Sequence, residues 1–160
     1  MAEVAIKLYN LPSVEQNIAD LKSKGIEIKR PMASEKSIVV KWVKKEFGSI
    51  WANECDVAFS NHPVSCFIAL KDDRILGFCC YDVSAKNFYG PIGVSEGFRA
   101  HGIGTALTLV VFHAMAGEGY AYAIVPTDSV DYYVKHMDGV IIDRSAAIFK
   151  GMLKENKAKK

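Results

Sequence analysis

The sequence predicts an α/β domain built on a mixed, mostly antiparallel sheet with helices on both faces. Three observations carry that prediction. The stretch "SCFIALKDDRILGFCCYDV" consists of two apolar runs around Asp72-Asp73, an antiparallel hairpin. Both of its arms are apolar on both faces, as expected of strands covered from each side. After the hairpin, strand-like and helix-like segments alternate, the pattern of an α/β sheet.

Taken in order, residues 4–9 ("VAIKLY") suggest a short strand. Residues 13–25 ("SVEQNIADLKSKG") read as a helix with Ser13 at its N-cap and Gly25 just past its end. "IEIKR" alternates as a strand and is stopped by Pro31. Ser34 is placed to cap the next helix, whose inner stripe is Val39, Trp42, Val43 and Phe47 and which Gly48 closes. "WANECDVAF" predicts a shorter helix, ended by "NHP". Beyond the hairpin, "FYGPIGV" is a strand interrupted by Gly90, Pro91 and Gly93, which fits a bend or bulge. The spacing predicts a helix over 104–118, apolar nearly all round and so laid on the sheet. "YAYAIV" is a strand, "VDYYVKHM" a short helix and "GVIID" a last strand. We expect one domain over 1–160, an N-terminal extension over 1–25 whose role the sequence does not give, and a flexible Lys-rich tail over 154–160.

Composition removes several function classes. Twenty basic and eighteen acidic residues leave a net charge of +2, with no basic stripe outside the tail, so nucleic acid is not an expected partner. No apolar run approaches membrane-spanning length and the N-terminus lacks a signal-type core, so neither membrane nor export is expected. The four cysteines, Cys55, Cys66, Cys79 and Cys80, form no paired CxxC motifs. That spacing predicts buried, reduced thiols in a cytoplasmic protein and no metal.

The stretch "EGFRAHGIGTAL" strips the backbone of side chains just before a helix. Amides at such a helix start, aided by the helix dipole, are a general anion site. Gly102 and Gly104 leave the approach open, Arg99 offers charge-assisted bonds to phosphate oxygens, and Thr105 adds a hydroxyl. Known phosphate-binding patterns divide sharply here. G-x-G-x-x-G fails at Leu107. The P-loop pattern matches at Gly97 and Gly102 but has Ile103 where its lysine belongs. R-x-x-G-x-G fits Arg99, Ala100, His101, Gly102, Ile103 and Gly104 after a strand that ends in Val94.

In that context "IGVSEGFRAHGIGTAL" resembles the acetyl-CoA pyrophosphate motif of the GNAT N-acetyltransferase superfamily, and the order of elements agrees from about residue 26 to 142. The resemblance implies a single-domain GNAT-like fold whose sheet splays between its fourth and fifth core strands, "FYGPIGV" and "YAYAIV". It implies acetyl-CoA as co-substrate, with main-chain amides from Arg99 through Ala100, His101, Gly102, Ile103 and Gly104 to Thr105 around the diphosphate. Ile92 and Val94 would pair with the pantetheine arm, and the Val94 amide would polarise the thioester carbonyl. Ala100 stands where the motif commonly has glycine.

The chemistry that the resemblance implies is direct acetyl transfer to an amine in a ternary complex. An alkylamine with a pKa of about 10.4 is neutral at pH 7 only at a cost of about 4.6 kcal/mol, so the site must help remove a proton. Within "YYVK", similar to the family's "FYEK", Tyr133 would protonate the leaving thiolate while Tyr132 packs inward. Asp82 and Glu54 are the carboxylates considered for the base, and nothing in the sequence separates them from surface acids. The resemblance also implies a homodimer as one arrangement. A non-catalytic acyl-CoA-binding module of the same fold and a P-loop-like nucleotide binder stay open as alternatives.

Overall fold

The computed structural model describes residues 1–142 and Leu153; the Lys-rich tail lies outside the described residues, as does residue 143 of the last predicted strand. The strands are β1 (Ala2–Lys7), β2 (Glu27–Lys29), β3 (Cys66–Lys71), β4 (Arg74–Tyr81), β5 (Tyr89–Val94), β6 (Tyr122–Thr127) and β7 (Val140–Ile141). The α-helices are α1 (Glu15–Ser23), α2 (Lys36–Phe47), α3 (Ser49–Ala58), α4 (Ile103–Gly117) and α5 (Val130–Met137). Among the described residues the strands form two antiparallel sheets, ordered β2-β3-β4-β5 and β6-β1-β7.

The predicted hairpin is β3 and β4. Asp72 and Asp73 sit at φ of 49° and 60°, and Lys71 faces Arg74, so the turn has the two left-handed residues that match strand twist. Beyond Ala69 the register slips, and Leu76 is the extra residue of a bulge that reverses which side chains face which layer. From there β4 is buried on both faces. Phe78 and Cys80 enter a core with Val39 and Val43 of α2 and Ala52 and Cys55 of α3. Cys79 and Tyr81 enter the other core with Ile103, Leu107, Val111 and Phe112 of α4.

Capping differs in detail from the sequence reading. Ser13 does accept a hydrogen bond from the Glu15 N–H at 3.2 Å, although α1 starts two residues later. Ser34 does not cap α2. It lies inside a single 3-10 turn, Ala33–Glu35, where the Glu35 carboxylate accepts from the Met32 N–H at 2.8 Å. Glu35 also pairs with Lys29 at 2.7 Å, which ties the helix entry to β2.

The N-terminal segment has a definite place. β1 lies between β6 and β7, antiparallel to both, and its Val4 and Ile6 are fully buried. The two sheets meet at one point. Phe88 forms a parallel bridge with Ile124, and the Ile124 N–H donates to the Asn87 carbonyl at 2.9 Å. Past that bridge no ladder joins β5 to β6, so the strands part where the sequence places the splay.

One glycine on β5 is fixed by packing. A methyl group on Gly93 would come within 2.5 Å of the Phe47 ring. Trp42, Trp51 and Phe78 crowd that ring, with their centroids 5.3–5.6 Å from it. Gly93→Ala should therefore destabilise the protein by about 1–3 kcal/mol, the usual cost of overpacking. Urea unfolding measures it, and adding Phe47→Leu should recover part of the loss.

Candidate functional site

The parting of the sheets leaves one edge of β5 open. The Ser95 N–H donates to the Leu76 carbonyl at 2.8 Å, which fixes the alternation of the β4–β5 ladder. Residues 93 and 95 then direct their main-chain groups at β4, and Ile92 and Val94 direct theirs away, into the gap. A second observation agrees: the Val94 carbonyl accepts a hydrogen bond from Arg99 Nε at 3.2 Å, which only an outward-facing carbonyl can do. Gly90, at φ of 106°, and Pro91 form the predicted bulge near the start of this strand.

The loop after β5 runs through a 3-10 turn, Glu96–Phe98, into an extended Arg99, a left-handed Ala100 (φ 63°) and a left-handed Gly102 (φ 82°). Helix α4 begins at Ile103, and its first intrahelical bond runs from the Ala106 N–H to the Gly102 carbonyl. The amides of Ile103, Gly104 and Thr105 come before that bond and are left outside the helical ladder. No side chain caps this end.

Loop, open strand edge and helix start enclose a cavity of about 480 Å³. Ile92, Val94, Arg99, Ala100, Gly102, Ile103, Gly104 and Thr105 all line it, and of the cofactor residues read from the sequence His101 alone does not. The far wall is aromatic, made by Phe47 of α2 and Trp51 of α3. The sequence assigned Phe47 to a core stripe, and nothing in it marked Trp51 for the site. Lys24 was also missed: its ammonium reaches the His101 carbonyl at 3.2 Å, a contact across 77 residues that no local pattern signals. It adds a second cation beside Arg99 on the loop.

The adjacent tyrosines of α5 point differently from the sequence reading. Tyr133, not Tyr132, is the inward residue, only 6% exposed and packed against Tyr89 and Tyr132 at centroid distances of 6.2 and 5.1 Å. Burial pushes its phenol up to about 12. Tyr132 is half-buried and shares a 3.0 Å hydrogen bond with Thr105 Oγ1 in the first turn of α4. A register shift of one residue on a short helix accounts for the exchange. Tyr133 follows the core-facing side of α5 toward β1, and Tyr132 bridges the gap to α4.

The two carboxylates separate cleanly. Asp82 accepts from the Asn87 N–H at 2.8 Å and the Tyr120 hydroxyl at 2.6 Å, and Lys86 lies 3.6 Å away. Those partners hold the turn into β5 and occupy both oxygens. Glu54 is half-buried on α3, one turn from Trp51, and accepts a single bond from the Ser84 hydroxyl at 3.3 Å. Burial raises its carboxyl above the ordinary range.

Ala100 tests the loop itself. A left-handed residue with a Cβ costs about 1–2 kcal/mol, against 0.5–1 kcal/mol of added chain entropy for glycine. Ala100→Gly should stabilise the protein by about 0.5–1 kcal/mol, read from denaturant midpoints at unchanged m-value.

The chain matches the acetyltransferase (GNAT) family model over residues 36–137. No curated protein sequence matches it. Among solved structures it is similar to the GCN5-related glucosamine N-acetyltransferase region of a fungal multi-domain GH3 β-N-acetylglucosaminidase, at TM-score 0.72 and 13% identity over 88% of this chain and 19% of that one. A GCN5-related N-acetyltransferase from Sphaerobacter thermophilus aligns at TM-score 0.60 and 17% identity over 88% of this chain and 48% of its own. A Mycobacterium tuberculosis protein solved in complex with CoA aligns at TM-score 0.51 and 15% identity, over 68% of this chain and 69% of that one. The chain thus spans about a fifth of the first of these and about half of the second.

Proposed function

The chain belongs to the GNAT acetyltransferase family, and from that premise we propose that it is an N-acetyltransferase carrying acetyl from acetyl-CoA to an amine acceptor. One observation carries the reading. A single cavity joins the open main-chain edge at Ile92 and Val94 to the uncapped amides of Ile103, Gly104 and Thr105. An extended, amide-bearing arm ending in a diphosphate matches both parts: the arm pairs with the strand edge and the diphosphate meets the helix start. Arg99 supplies a cation there. The CoA-bound relative of similar fold supports the same choice of carrier.

Transfer in a ternary complex then assigns roles to this chain's groups. The amine nitrogen attacks the thioester carbon, the C–S bond breaks, and an amide and free thiol result. The outward Val94 amide is the donor for the developing oxyanion. Glu54 takes the proton that the acceptor ammonium must shed, since Asp82 is held by its three partners. Tyr133 gives its proton to the leaving thiolate and takes one back from the nitrogen as the adduct collapses to the amide; burial keeps its phenol protonated throughout the physiological range. For Tyr133 to reach that thiolate, the β5–β6 gap has to admit the arm as far as Tyr89. The burial of Tyr133 away from the cavity favours a second reading, an acyl-CoA-binding module without turnover.

A thiol-release screen with acetyl-CoA and varied amines separates the two. Turnover with a large kcat loss in Tyr133→Phe supports the enzyme and its donor. The same loss in Tyr132→Phe alone moves the donor role to Tyr132, and CoA binding without turnover supports the module. Arg99→Ala should weaken CoA binding by about 1.5–3 kcal/mol, the worth of a charge-assisted bond, measured by calorimetry. A base must be ionised to act, so kcat/KM should fall as pH drops through the raised Glu54 value. That acid limb should lie above the ordinary carboxylate range and vanish in Glu54→Gln.

A further inference from the structure

Three of the four cysteines converge, which their spacing did not suggest. Cys55 comes from α3, Cys66 from β3 and Cys80 from β4, and their sulfurs all lie within 4.8 Å of one another. Cys66 and Cys80 face each other across the β3–β4 ladder, and α3 lays Cys55 over the pair. All three are fully buried, among Val39, Val43, Ala52, Ala58, Phe59, Ile68 and Phe78. Cys79 faces the opposite core and stands apart. We propose that Cys55, Cys66 and Cys80 form a three-sulfur site for a thiophilic centre that accepts three ligands, trivalent arsenic being the class that this core fits best.

Convergence favours ligation over a disulfide. Bonds of about 2.3 Å, the zinc–thiolate length, bring three sulfurs around one centre to about 4 Å or less of one another, and sulfurs already gathered within 4.8 Å are in reach of that arrangement. A disulfide needs about 2.05 Å and would join two of the three sulfurs, leaving the third out. Coordination number argues against zinc, which takes a fourth ligand that these buried sulfurs do not supply.

Charge then selects among three-coordinate centres. A divalent ion displacing three thiol protons leaves one negative charge in an apolar core, at a heavy desolvation cost. Arsenous acid leaves none. In As(OH)3 + 3 RSH → As(SR)3 + 3 H2O, three As–O bonds are exchanged for three As–S bonds, nothing is oxidised or reduced, and reactant and product are uncharged. Trp51 is one turn before Cys55 on α3 and lines the cavity, so a centre clamping α3 to the sheet would fix the aromatic wall of the site above it.

The test needs neither substrate nor turnover. Full-length reduced protein is incubated with arsenous acid, desalted and examined by native mass spectrometry and thermal unfolding. We expect one arsenic per chain replacing three protons, a raised Tm, and the same result in Cys79→Ala. In Cys55→Ala retention should fall about 100-fold or more. Wild-type protein that retains no arsenic, or retention surviving Cys55→Ala, overturns the proposal. Stoichiometric uptake of Cd2+ with none of arsenous acid also overturns it. Because the wild-type and Cys79→Ala results stand alone, misfolding of Cys55→Ala would not blunt the test.

Discussion

The functional architecture rests on one asymmetry in hydrogen bonding: β5 has a partner along one edge only. On its β4 side the ladder is made, and on its β6 side the pairing ends with the Phe88–Ile124 bridge. An open edge within a sheet is normally a hazard, because it offers unpaired main-chain groups to any passing strand. Here it is recessed between α4 and the aromatic wall of α2 and α3. The bulge at Gly90-Pro91, the close seat of Phe47 on Gly93 and the left-handed loop at Ala100 and Gly102 all lie on β5 or just beyond it.

Much of this was legible in the residues. Two-sided apolar runs around Asp72-Asp73 specified a covered hairpin, and glycine spacing before an apolar helix specified an open loop at that helix's start. Both are local, written in side-chain period and backbone freedom, and eight of the nine residues proposed for the cofactor line one cavity. Long-range placements were not legible. Lys24 meets His101 only because α1 returns over α4, and Trp51 joins the wall only because α3 folds across β4. The tyrosine pair failed for a subtler reason. Adjacent positions on a short amphipathic helix differ by about 100°, so a small rotation exchanges inside for outside.

The cysteines show how spacing misleads in the other direction. Metal motifs read from sequence depend on ligands held by one or two local turns. A site assembled from a helix and two strands leaves no such trace. Cys79 and Cys80 are neighbours in the chain, yet the strand's alternation sends one to each of two separate cores.

The placement of β1 has a consequence for anyone shortening this protein. The segment that carries the family match begins at residue 36, and a fragment cut there would look complete by its motifs. It would nevertheless strip the middle strand from the β6-β1-β7 sheet, leaving β6 and β7 with no common neighbour and two buried positions, Val4 and Ile6, vacated. During synthesis β1 emerges before its partners and waits for residues 122–141 before it can pair. β1 and residues 122–141 therefore depend on one another as one sheet, and the segment between them is not autonomous.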